Sequence, residues 1–228
     1  MSIALPTQAS LMRAWNLSGA QAAALLREAN ALSVARGALI TRRGAPLSGI
    51  FLVQSGAVKL SLHGADGDER ILRVVMPGDS FGEPTALLGK PCLYEAFALA
   101  EAKLVIIPVQ AVFALLGKDG RFARRFVLAL AARSFGILAE FQAATTQRGA
   151  QRLAGYLQML PERAGSNGVR TVDLPVSKTV IAALLGMKKE TLSRLLHQFA
   201  ADGVIGVRRR EIAILDAAKL AAAARDAR

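Results

Sequence analysis

The spacing of apolar positions changes several times along this chain, and each change predicts a different kind of element. Over residues 8–36, Ala, Leu, Arg and Glu dominate at helical spacing. This predicts short helices, with Ser18 as an N-cap. Over residues 37–108 the runs shorten and glycines punctuate them, at Gly37, Gly44, Gly49, Gly56, Gly64, Gly67, Gly78 and Gly82. Val58, Leu60 and Leu62 alternate with Lys59, Ser61 and His63, the period of a half-buried strand, and Asp66-Gly67 supplies a hairpin turn. Short strands at regular spacing predict an antiparallel roll or jelly-roll barrel.

Over residues 118–146 the period becomes helical and long. Leu130, Ile137, Phe141 and Ala144 form a heptad-like seam, with Phe135 and Leu138 on a neighbouring side. A helix apolar on two faces needs two partners. The roll and a second copy of the chain would serve; burial inside one domain is the alternative. A second helix follows, with Leu153, Tyr156, Leu157 and Leu160 facing inward, then a turn-rich break at 161–168.

The C-terminal third predicts two short helices and a hairpin. The first helix covers 177–185 and ends at Gly186; the second covers 187–199. Ala182, four residues before that glycine, is small enough for two helices to cross. Ile181, Leu185, Leu192 and Leu195 supply the packing faces. Val204, Ile205 and Val207 then oppose Ile212, Ile214 and Leu215 across a basic tip. This is the spacing of a helix-turn-helix followed by a wing. The fold class expected is α+β: a sensor roll at 1–117, a dimerisation helix at 118–146 and a winged helix-turn-helix at 147–228.

Charge sharpens the picture. The 228 residues carry net charge +12, and 14 Lys+Arg face 7 Asp+Glu from Arg148 onward, so nucleic acid is the expected partner of that end. A single cysteine, Cys92, excludes a disulfide framework and suits a reducing cytoplasm. The N-terminus has no signal-peptide pattern, and the uninterrupted apolar runs fall short of a membrane span. Nucleophile–base pairs, metal-ligand clusters and phosphate loops are absent from the sequence, so no enzyme is expected.

The second helix carries Glu190, Thr191, Ser193 and Arg194, preceded by Lys188 and Lys189. On an arbitrary helix Glu190 and Arg194 would be an i,i+4 ion pair of about 0.2–0.5 kcal/mol. On a groove-entering helix a carboxylate accepts from cytosine N4, and a guanidinium bonds guanine O6 and N7. Ser193 is short enough to let the helix approach the bases. Lys178, Lys188, Lys189, Arg208, Arg209 and Arg210 suit phosphates, with Ser177 at the first helix's start.

These features together resemble the Crp/Fnr family of bacterial transcription regulators over essentially the whole chain. "ETLSRLL" resembles the recognition helix of the Fnr branch, and carries Glu190, Ser193 and Arg194 onto the readers of a TTGAT half-site. "LPVSKTVIAALLGMKKETLSRLLHQF" is similar to the dissimilatory nitrate respiration regulators, the Dnr group of haem-dependent nitric oxide sensors. The resemblance implies a homodimer, RNA polymerase as a partner and an effector site built from Gly82, Glu83, Tyr94, Glu95, Arg133, Ile137 and Leu138. A cysteine-ligated iron–sulfur cluster is not expected with one cysteine. Cyclic AMP is not expected either: Tyr94 and Glu95 stand where the family's nucleotide-binding Arg-Ser pair would be, and Ile137 and Leu138 where its Thr-Ser pair would be. Haem is left open, with His63, His197, Tyr94 and Cys92 as the candidate iron ligands. Arg133 is expected to form an ion pair with Glu83 and Glu95. Leu130, Ile137 and Phe141 are the expected dimer contacts.

Overall fold

The computed structural model describes residues 5–63, 69–164 and 169–225. The expected Asp66-Gly67 turn and the second half of the 161–168 break lie outside them. The chain divides into two compact units, Met1–Gly136 and Ile137–Arg228.

In the first unit, helices α1 (Leu5–Trp15) and α2 (Gly19–Arg27) precede strand β1 (Asn30–Val34). Ser18 caps α2: its Oγ accepts from the Gln21 N–H, and the Gln21 Oε1 accepts from the Ser18 N–H. The helical texture expected as far as residue 36 therefore stops early. Asn30–Val34 is extended and pairs antiparallel with β8 (Ala102–Pro108), in register Asn30↔Ile106 to Val34↔Ala102. Leu32 and Val34 turn into the roll core, a period of two that the surrounding alanines disguise.

The remaining strands are β2 (Leu39–Thr41), β3 (Gly49–Ser55), β4 (Val58–His63), β5 (Glu69–Val75), β6 (Ser80–Phe81) and β7 (Glu95–Ala98). They form two antiparallel sheets, ordered β1-β8-β3-β6 and β2-β7-β4-β5. Between them lies a core of Phe51, Val53, Val58, Leu60, Val75, Phe81, Ala96 and Leu104. Phe51 stacks on Phe81 with centroids 4.9 Å apart. In β4 the expected alternation holds for Val58 and Leu60, then breaks: Ser61 is buried and Leu62 only half-buried. The cause is a bulge. Leu60 pairs with Arg73 but Ser61 pairs with Ile71, so β5 carries Leu72 as an extra residue.

Helices cover the outer face of the first sheet. Helix α3 (Glu83–Leu88) follows β6; α4 (Val109–Lys118) and α5 (Gly120–Thr146) follow β8. Leu11, Trp15, Leu25, Ile50, Leu52, Val105, Ile107, Val112, Phe122 and Phe126 form this second core, with Trp15 edge-on to Phe126 at 4.9 Å. Leu130, expected in the dimer seam, packs on this core instead. By length and composition α5 is apolar enough to cross a membrane, although no uninterrupted run in it is. Here one face of it is committed to the roll.

In the second unit, α6 (Gly149–Met159) buries Leu153 and Leu157, leaving Leu160 half-buried. Strands β9 (Glu162–Ala164), β10 (Arg170–Asp173), β11 (Ile205–Arg208) and β12 (Glu211–Ile214) form one sheet, ordered β11-β12-β10-β9. The expected hairpin is thus half of a four-stranded sheet. Ile205 faces Ile214 and Val207 faces Ile212, while Leu215 is exposed. Helices α7 (Lys178–Leu184) and α8 (Lys189–Ala201) make the helix-turn-helix, and α9 (Ala217–Arg225) closes the unit.

Candidate nucleic-acid interface and sensor site

The helix-turn-helix is built from its turn outward. Gly186 has φ +62, the left-handed conformation that glycine adopts without penalty, and the Met187 N–H donates to the Ala182 carbonyl at 2.9 Å. Ile181 and Ala182 of α7 are buried against Leu192, Leu196 and Phe199 of α8. The expected packing face named Leu195, but Leu196 is the buried residue and Leu195 sits at the edge, beside Gly149. The stripe runs at i, i+4 and i+7 from Leu192, one residue away from the expected face. Arg152 of α6 braces the turn. Its Nε donates to the Leu185 carbonyl at 2.8 Å and its guanidinium also bonds the Gln147 carbonyl. A cation is favoured at that C-terminal end of α7.

This packing leaves Lys189, Glu190, Ser193, Arg194 and His197 together on the exposed face of α8. Thr191 is half-buried at its margin and Lys188 is the exposed N-cap. Among the described residues neither Glu190 nor Arg194 has an ion-pair or hydrogen-bond partner, so the simple i,i+4 pair is not formed. Ser177 starts α7 and is exposed. Its Oγ accepts from the Val180 N–H at 3.3 Å, capping α7, and Lys178 beside it is half-buried.

The wing tip is cationic. Arg208 pairs with Glu211 in the ladder, leaving Arg209 and Arg210 as a two-residue turn, and all three arginines are exposed. Arg209 has φ +56. Asn16 is the other non-glycine residue in the left-handed region among those described, and asparagine tolerates it. For arginine the conformation costs roughly 1–2 kcal/mol.

In the roll, Gly82 (φ +92) turns the chain from β6 into α3 and delivers Glu83, which is only 2% exposed. Its carboxylate accepts from the Ser80 Oγ–H at 2.5 Å and from the guanidinium of Arg133 on α5. Arg133 also donates to the Ser80 carbonyl at 3.0 Å and to the Ser80 Oγ at 3.2 Å. Trp15 Nε1 donates to the same Oγ at 3.0 Å, and Arg73 reaches the Ser80 carbonyl at 3.1 Å and Asp79 at 3.0 Å. Ser80 is thus the node of a network that joins α1, β5, α3 and α5. Tyr94 is half-buried against the roll core and lies by Gly82; burial pushes its phenol well above the ordinary tyrosine range.

The expected effector set is therefore only partly assembled. Gly82, Glu83, Tyr94 and Arg133 come together. Glu95 does not face Arg133; it pairs with His63 at 3.1 Å. Tyr94 precedes β7, whereas Glu95 opens it. Ile137, one turn beyond Arg133, is 58% exposed, and Leu138 is 66% exposed on the far side of the helix. Trp15, Arg73 and Ser80 were not singled out from the sequence. The one signal available was Trp15, the chain's single tryptophan, whose indole N–H needs a partner when buried. Among the described residues no group of three or more His, Cys, Asp or Glu side chains is placed to hold a metal ion.

On α5 Leu128, Ala131, Phe135 and Leu138 form an uncovered stripe at alternating spacings of three and four, with Val127 and Ile137 exposed beside it. Phe141 is also exposed.

Comparison with known proteins adds the following. Residues 151–223 match the family model of a Crp-like helix-turn-helix domain, and residues 31–119 match that of a cyclic nucleotide-binding domain. Over 205 residues the chain is 26% identical to the CRP-like cAMP-activated global transcriptional regulator of Mycobacterium tuberculosis, covering 89% of this chain and 92% of that one. Over 165 residues it is 32% identical to the nitrogen fixation regulation protein FixK of Azorhizobium caulinodans, covering 69% and 64%. FixK2 from Bradyrhizobium japonicum has the same fold, with a TM-score of 0.75 over 88% of this chain and 99% of that one, at 23% identity.

Proposed function

We propose that this chain, a member of the Crp/Fnr family of DNA-binding transcription regulators, acts as a cytoplasmic homodimer that reads a TTGAT-like palindrome and engages RNA polymerase. The observation that carries the reading is the pair of oppositely charged side chains, Glu190 and Arg194, on the outward face of α8, neither with a partner among the described residues. Glu190, Ser193 and Arg194 read bases; Thr191 flanks them. Lys178, Lys188, Lys189, Arg208 and Arg210 hold phosphates, and Ser177 acts by capping α7. Competition binding of the full-length protein to a TTGAT palindrome and to its single-base variants is the test. Equal affinity for every variant would remove the specificity reading.

Two recognition helices must stand about 34 Å apart to enter successive major grooves, which requires two copies. The uncovered stripe on α5 supports a pairing of the long helices through Leu128, Phe135 and Leu138, with Ile137 and Phe141 at its flank.

The control input differs from a cyclic nucleotide. A cyclic phosphate needs a cation facing it, and the two guanidiniums at this site are already committed, Arg133 to Glu83 and Ser80 and Arg73 to Asp79 and Ser80. The relative in Mycobacterium tuberculosis is cAMP-activated, so the departure belongs to this chain's own residues. Haem, which the Dnr likeness admits, does not fit the described residues. His63 lies at an exposed strand end in a pair with Glu95; Cys92 is buried with its thiol toward the Tyr94 carbonyl at 3.3 Å; and a phenol held above its ordinary pKa resists the phenolate form that iron takes. His197 lies on the DNA-facing helix. An effector-free or differently liganded sensor, set through the Ser80 network, is the reading these residues support.

A further inference from the structure

We infer that Arg209 is a second DNA-reading element, separate from α8, that enters the minor groove beside each half-site and favours A·T-rich flanks. The inference rests on the proposed DNA-binding role and extends it beyond the recognition helix. Its starting point is a mismatch between residue and conformation. Two-residue hairpin turns with a left-handed position favour Gly, Asn or Asp, and this one holds Arg209 at φ +56. An arginine in a strained position, when a smaller residue would relieve it, points to a use for the side chain.

The surroundings say which use. The turn is held firmly. The β11–β12 ladder runs up to Arg208↔Glu211, and the Arg210 carbonyl accepts from the Leu174 N–H at 2.8 Å. The guanidinium of Arg209 is exposed and has no partner among the described residues. Beside it lies a recess of about 420 Å³ bounded by Arg208, Arg209 and Glu211. Glu211, partly engaged by Arg163 at 3.8 Å, puts a carboxylate next to the tip. Three exposed arginines, Arg208, Arg209 and Arg210, outweigh that carboxylate and keep the tip cationic. The wing also starts where α8 stops: the Val204 N–H bonds the Phe199 carbonyl at 2.9 Å. With α8 in the major groove, the next groove met along the same side of the duplex is the minor one. Narrow A·T-rich minor grooves concentrate negative potential, and the weakly hydrated, planar guanidinium is the side chain suited to enter them.

The experiment compares full-length protein on one palindrome carrying either A·T-tract or G·C flanks. A third duplex replaces the flanking G·C pairs with inosine·C, which keeps the major-groove face and removes the minor-groove amino group. Wild type is expected to bind the A·T and inosine·C duplexes several-fold more tightly than the G·C duplex. Arg209→Gly is expected to melt at the same or a higher temperature, because it relieves the turn, and to bind all three duplexes alike. Arg208→Gly should weaken binding on every flank by one common factor. A common factor for Arg209→Gly as well, or a wild type indifferent to its flanks, overturns the inference and leaves the recognition-helix reading standing. Failure of the wild type to bind any of the three duplexes at low salt overturns both.

Discussion

Arg194 and Glu190 sit four residues apart on α8 and do not pair, so each is free to meet a base edge. Replacing either with Ala should cost about 1–3 kcal/mol on the cognate palindrome and relax choice at one base pair per half-site. Lys188→Ala should weaken all sequences alike, and titration against single-base variants separates the two behaviours. Arg133 carries the second expectation at this scale. Arg133→Ala leaves the buried Glu83 carboxylate without its cation, so urea unfolding should show a loss of about 3–5 kcal/mol. Adding Glu83→Gln to that variant should recover part of it, since the stranded charge is then gone. The exposed face of α8 was legible in the sequence because Glu190, Ser193 and Arg194 lie within one helix turn of each other. The Ser80 node was not, because Trp15 and Arg133 reach it from 65 and 53 residues away.

At the scale of elements, periodicity located the strands and helices but could not choose among faces. Helix α5 is apolar on several sides, and a heptad count through Leu130, Ile137 and Phe141 fits as well as one through Leu128, Phe135 and Leu138. The roll covers Phe122, Phe126 and Leu130, which favours the second count. The two registers make different predictions. Phe135→Asp or Leu138→Asp should shift the protein toward monomer in sedimentation and abolish operator binding. Leu130→Asp should instead lower the melting temperature of the roll, because it buries an unpaired carboxylate. Ile137→Asp, at the flank of the stripe, should have the smaller effect on assembly. Strand β1 was hidden for a related reason: its alanine and serine suit a helix locally, and only pairing with β8 extends it. The bulge at Leu72 was equally invisible, since one extra residue leaves no mark on an alternating pattern.

At the scale of the whole chain, a cyclic nucleotide-binding domain match is joined to a Crp-like helix-turn-helix match, and in the proposed reading the residues inside the roll set the sensitivity. A ligand that binds only the folded state raises its stability by RT ln(1 + [L]/Kd), about 2.7 kcal/mol at a hundredfold excess over Kd. Cyclic AMP at millimolar concentration is expected to leave the melting temperature and the operator affinity unchanged, and calorimetry should show no saturable heat. A clear stabilisation would mean that Arg133 leaves Glu83 for the phosphate. The overall architecture was legible because its glycine punctuation, long helix and winged motif each carry a strong local pattern. The input was not, because it depends on which side chains have already paired.

The apolar stripe on α5 also makes abundance a control variable. If only a second copy covers Leu128, Phe135 and Leu138, the competent species below its dissociation constant grows with the square of the protomer concentration. Halving expression would then cut competent dimers by about fourfold. A modest change in synthesis or turnover of this chain would become a steep change in promoter occupancy, with no small molecule involved.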